Sequence, residues 1–182
     1  MTVVIAWKTA DTIWMGADGR ATSGSDIFPS GVKKIYKAKQ AMIGYAGFPL
    51  MMQLAKPLVD KLCFDSSVDK FALDLKKLLD DNKASEHDDG CLCGEFLLAF
   101  NSNLYNIQSN GSVMVVDSYC AIGTGAPYAL GFMLNVWESF DRVRIKYSQE
   151  AYEFELELAL KAASHFCTDC GEPYQIEKMD VK

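Results

Sequence analysis

The 182-residue chain is short of positive charge: 18 lysines and arginines stand against 24 aspartates and glutamates, a net charge of −6. That balance argues against a nucleic-acid surface or a polybasic membrane surface. Apolar runs of membrane-spanning length are missing, and the first residues carry neither the basic stretch nor the long apolar core of a secretory signal. Internal repeats, linkers and low-complexity segments are missing as well. The absences together predict a cytoplasmic protein with no membrane or nucleic-acid partner. Its six cysteines are then expected as reduced thiols. What is present is apolar: 49 % hydrophobic residues, enough for an ample core in one domain over residues 1–182.

Thr2 stands directly behind Met1 and opens a strand-like run, Val3-Val4-Ile5-Ala6-Trp7. Removal of Met1 would give one residue both a hydroxyl nucleophile and a free α-amine. Such an amine has a reference pKa of about 8, so it can act as a base near neutrality, which a lysine near about 10.4 cannot. Threonine paired with its own amine is a recurrent device for acyl transfer. A Met-Thr start is common, so the pair says little alone. The next residues sharpen it. Thr12 to Asp18 reads as a second strand ending in an acid, followed by the polar turn Gly19-Arg20-Ala21-Thr22. Gly31-Val32-Lys33-Lys34-Ile35-Tyr36 reads as a third strand and Met42 to Phe48 as a fourth, with Gly47 near its end. An ammonium such as Lys34 beside the α-amine would lower its proton affinity, and Asp18 would hold that lysine. Gly47 could present a backbone N–H to a developing oxyanion. Singly, Asp18 also fits a turn, Lys34 a solvated strand start and Gly47 a helix-leading turn.

Thr2, the stretch Gly16 to Thr22, Gly31 to Tyr36, Gly44 to Phe48 and Ala121-Ile122-Gly123-Thr124-Gly125-Ala126-Pro127-Tyr128-Ala129-Leu130 follow one another at the spacing of a known family. In these residues the chain resembles the proteasome-type N-terminal-nucleophile hydrolases, and among them the HslV-type peptidases. The resemblance implies a four-layer αββα fold and a threonine peptidase. It assigns catalytic roles to Thr2, Asp18, Lys34 and Gly47, with a supporting hydroxyl at Thr124. It implies a homo-oligomeric double ring that takes peptide or unfolded protein substrate, fed in HslV by an ATP-dependent unfoldase. It requires no cofactor, and only Met1 would have to be removed. Ala21, Val32 and Tyr45 match positions that shape the pocket beside the scissile bond.

Two departures from the family pattern stand out. Thr124 replaces a serine, which keeps the hydroxyl and adds a methyl group. Cys167-Thr168-Asp169-Cys170-Gly171 follows the last long helix, and its cysteines fall where proteasome subunits carry an aspartate and a serine. The HslV pattern has backbone carbonyls of this loop holding a monovalent cation such as Na+, which would place the ion at Cys167 and Cys170. The same cysteines, with Cys91, Cys93, His87 and His165, also admit a zinc site. A buried-cysteine reading competes with it.

The remaining pattern predicts helices over Pro49 to Cys63 and Ser67 to Asn82, the second with an apolar stripe from Val68 to Leu79 and serines at its start. A polar loop spans Lys83 to Gly90. Strands are expected at Leu92 to Phe100, Leu104 to Ile107, Val113 to Val116 and Tyr119 to Gly123. Helices follow over Ala126 to Phe140 and Ser148 to Phe166, and a strand over Tyr174 to Lys178. Strands, two helices, strands, two helices and a strand make an α+β layout. Two further functions stay open: an inactive scaffold that keeps Met1, whose Thr2 nitrogen is then an amide and no base, and a non-peptidase amidohydrolase acting on a small molecule.

Overall fold

The structure is a computed structural model that describes residues 2–23, 26–28, 31–84, 94–143 and 148–181. Two antiparallel sheets carry it. The first contains β1 (Val4–Lys8), β2 (Thr12–Asp18), β10 (Tyr119–Ile122) and β11 (Tyr174–Asp180), in the order β10-β1-β2-β11. The second contains β5 (Ile35–Lys37), β6 (Ala41–Ala46), β7 (Glu95–Phe100), β8 (Asn103–Ile107) and β9 (Val113–Val116), in that order. A short hairpin, β3 (Ala21–Ser23) with β4 (Asp26–Phe28), stands apart from both.

Alternation along the strands sorts side chains into three cores. Val4 and Ala6 of β1 meet Met42 of β6 and Leu97 and Ala99 of β7 between the sheets. Val3, Ile5 and Trp7 point the other way, onto α3 (Ala126–Val143) and α4 (Gln149–Phe166), where they pack with Met133, Leu156 and Leu160. On the far side Ile43, Leu98 and Phe100 pack against α1 (Pro49–Val59) and α2 (Val68–Asp81) through Met51, Phe71 and Leu75. The layers are therefore helix, sheet, sheet, helix, as the resemblance implied. Strands buried on both faces read as continuous apolar runs, which is why β1 and β2 show no polar alternation. Helix ends follow local chemistry: Ser67 caps α2 by accepting from Lys70 N, and Pro49 opens α1.

The structure shifts several boundaries. Residues 31–34 are not strand, and β5 starts at Ile35. The reason lies in a packing contact, because Val32 N donates to Gly19 O and Gly31 abuts the Pro173 ring. Helix α1 stops at Val59 in a turn where Lys61 N and Leu62 N bond back three residues. Strand β11 runs on to Asp180 by pairing with all of β2. The expected strand start at Leu92 and most of the loop from Lys83 to Gly90 lie outside the described residues. Among the described residues, no helix is long and apolar enough to cross a membrane.

Candidate active site

The register of β1 on β2 sets Val4 opposite Ala17. One step further, Asp18 N donates to Val3 O, so Asp18 ends its strand beside the first residues of the chain. Thr2 is pinned from the other side, where Gly125 N donates to Thr2 O at 3.2 Å and Thr124 Oγ1 to the same oxygen at 3.4 Å. Gly123, at φ +88°, lets that carbonyl come close; a β-carbon there would lie 2.3 Å from Thr2 O.

Asp18 is wholly buried and collects five donors. Its Oδ1 accepts from Thr2 Oγ1 at 2.7 Å, Val3 N at 2.9 Å and Lys34 Nζ at 2.8 Å. Its Oδ2 accepts from Arg20 N and Gly171 N, each at 3.2 Å. Lys34, 4 % exposed, donates a second bond to Arg20 O at 2.9 Å. A buried ion pair is tolerated only when its remaining bonds are made, and here they are. One carboxylate oxygen thus holds a hydroxyl and an ammonium together.

Of the residues singled out in the sequence, Thr2, Asp18, Lys34 and Thr124 share this cluster. Gly47 reaches it indirectly: it follows β6, whose Tyr45 N donates to Lys34 O at 3.1 Å. At φ +153°, a β-carbon on Gly47 would meet Met51 Sδ at 2.3 Å. Gly47→Ala is expected to destabilise the fold by about 1–3 kcal/mol, the range for a side chain forced into such a backbone region. A thermal melt checks it. Tyr45 itself is 2 % exposed and packs in the core under α1. Burial first and the Asp18 charge second push its phenol up to about 12. Ala21 and Val32 are half-buried.

Arg20 was not foreseen. Its guanidinium crosses to the loop after α4, donating from Nη1 to Thr168 O at 2.7 Å and packing on Gly171. Nothing local to Arg20 signals a contact 148 residues away. This contact bears on the cation expected at Cys167 and Cys170. Cys167 O accepts from Cys170 N, Thr168 O from the guanidinium, and Gly171 O from Gly19 N and Arg20 N. Cys167 O and Thr168 O each keep a second lone pair, so the loop still offers backbone oxygens to the monovalent cation the resemblance implies. Cys167 Sγ lies 3.7 Å from Thr124 Oγ1, which links the loop to the Thr2 cluster. Among the described residues, no group of three or more histidine, cysteine or acidic side chains could hold a metal. Three of the zinc candidates, His87, Cys91 and Cys93, lie outside those residues, and His165 stands exposed, edge-on to Phe166.

The αββα layers, with the start of the chain drawn in beside Asp18, define a fold of the proteasome-type N-terminal-nucleophile hydrolase class. Within it the chain is a relative of HslV. It is 29 % identical to the ATP-dependent protease subunit HslV of Pseudothermotoga lettingae over 133 residues, 71 % of this chain and 73 % of that protein. To the HslV subunit of Thermosipho melanesiensis it is 26 % identical over 183 residues, covering 98 % and 97 %. Among solved structures, BPH of Thiobacillus denitrificans in complex with epoxomicin superposes with a TM-score of 0.77 at 20 % identity over 99 % of both chains. Eukaryotic HslV of Trypanosoma brucei superposes with a TM-score of 0.68 at 18 % identity, over 98 % of this chain and 99 % of that one. No family model matches the chain.

Proposed function

We propose that the protein is a threonine peptidase with Thr2 as its nucleophile, active once Met1 is removed. The observation that carries this reading is the single oxygen, Asp18 Oδ1, bonded at once by Thr2 Oγ1 and Lys34 Nζ.

The steps follow from those positions. The free α-amine of Thr2 takes the hydroxyl proton as Oγ1 attacks a peptide carbonyl carbon. Lys34 favours the neutral amine as a neighbouring cation and steadies the developing charge. Gly47 offers its backbone N–H to the oxyanion. The ammonium formed on Thr2 then protonates the leaving nitrogen as the C–N bond breaks, which leaves an ester on Oγ1. Water attacks that ester, the amine accepts its proton, and cleavage of the C–Oγ1 bond restores the hydroxyl. Thr124, bonded to the Thr2 carbonyl, holds the residue in register.

The HslV relatives are described as subunits of ATP-dependent proteases. On that likeness the chain works in the cytoplasm as a homo-oligomeric double ring on peptides or unfolded protein, with an ATP-dependent unfoldase as its partner. The test is to produce the chain once with Met1 retained and once beginning at Thr2, verified by intact mass. Only the second is expected to cleave peptides, at a rate that rises with pH as the amine loses its proton at or below about 8. Equal activity of both forms would end the proposal.

A further inference from the structure

The two cysteines after α4 form a pair that the catalytic reading does not use. Cys170 N donates to Cys167 O at 3.1 Å, closing a turn over residues 167–170. Such a turn keeps its end α-carbons within about 7 Å, and disulfides span α-carbon separations of roughly 4.4–6.8 Å. The turn thus brings the two residues within disulfide reach of one another. Each touches the nucleophile's surroundings: Cys167 Sγ lies against Thr124 Oγ1, and Cys170 Sγ is packed beside Gly125 and Val3. The other two cysteines among the described residues have different neighbours, Cys63 contacting Ser66 and Cys120 contacting Asn106.

We propose that Cys167 and Cys170 are a site of reversible oxidative modification, closing to a disulfide that withdraws Cys167 from Thr124 and loosens the seat of Thr2. The oxidant is a peroxide. Cys167, half-buried, is the thiol that peroxide can reach, whereas Cys170 is wholly buried. The Cys167 sulfur loses two electrons to the O–O bond, giving a sulfenic acid and one water. The Cys170 sulfur then attacks it, forming S–S and releasing a second water. Burial, and Asp18 after it, push the Cys170 thiol up, which leaves Cys167 as the thiol oxidised first. A thiol-bearing reductant reverses the step by exchange. The loss of activity rests on the threonine-peptidase reading; formation of the bond does not.

The experiment treats the full chain, beginning at Thr2, with hydrogen peroxide, then alkylates free thiols, maps peptides by mass and measures peptide hydrolysis in parallel. The expected result is a Cys167–Cys170 linked peptide lighter by two hydrogens, loss of hydrolysis in proportion, and recovery of both with dithiothreitol. In Cys170→Ser the reaction should stop at a sulfenic acid on Cys167, captured by dimedone. Alkylation of both cysteines after peroxide, or linkage of either to another cysteine, would overturn the inference. A disulfide that forms with hydrolysis unchanged would overturn the link to Thr2. A disulfide that forms in a protein with no hydrolysis even when reduced would instead count against the peptidase.

Discussion

Thr2→Ala, in a chain that begins at residue 2, is expected to lose peptide hydrolysis by a factor on the order of 10⁴ or more, because a nucleophile acting as part of a unit is not replaced by its neighbours. The fold should survive. Most of what ties Thr2 down is backbone: its carbonyl accepts from Gly125 N, and Val3 N donates to Asp18. Asp18 keeps four of its donors when the hydroxyl is gone. The lost bond, made to a buried carboxylate, is worth about 1.5–3 kcal/mol. Circular dichroism should therefore keep the folded spectrum and the thermal midpoint fall by several degrees, while turnover vanishes. Thr2→Ser keeps the hydroxyl and the amine and should retain measurable activity. Thr2→Ala with unchanged hydrolysis would place the chemistry on another residue.

The parts of the site that were legible in the sequence are those whose signal is local. Thr2 is marked by position, Asp18 by closing an apolar strand and Lys34 by preceding another, though singly each has an ordinary reading and only their spacing as a set resembles a family. Helix α2 was legible through its stripe and the Ser67 cap. What could not be read depends on contacts between distant segments. Lys34 precedes β5 rather than sitting within a strand, because Gly31 and Val32 are drawn to Pro173 and Gly19. The hairpin of β3 and β4 escaped notice because Asp26, Ile27 and Phe28 are all exposed and show no period of two. Arg20 crosses to a loop far along the chain, a contact that only the folded backbone reveals. The cysteines were visible as a spacing, but the contact of Cys167 with Thr124 was not.

Asp18→Asn should have the largest effect on stability of any isosteric change at the site. The amide keeps the size of the carboxylate, yet one of its ends is a donor. With the amide oxygen at the Oδ1 position, the NH₂ group faces Arg20 N and Gly171 N; flipped, it faces Lys34 Nζ, Val3 N and the Thr2 hydroxyl. Either way donor meets donor, and Lys34 is left charged in a site where its side chain is 6 % exposed. Breaking a buried pair from one side is destabilising by about 3–5 kcal/mol. For a chain of this size that is a fall in melting temperature of roughly 10 °C. Hydrolysis should be lost with it, since the hydroxyl and the lysine are no longer held at one atom. Adding Lys34→Met removes the stranded charge, so the double variant should melt higher than Asp18→Asn alone and remain inactive. That non-additivity is the signature of the pair. If the double variant melts at or below the single one, the buried charge is not what Asp18 balances, and its five donors serve the turn at Gly19 rather than the nucleophile.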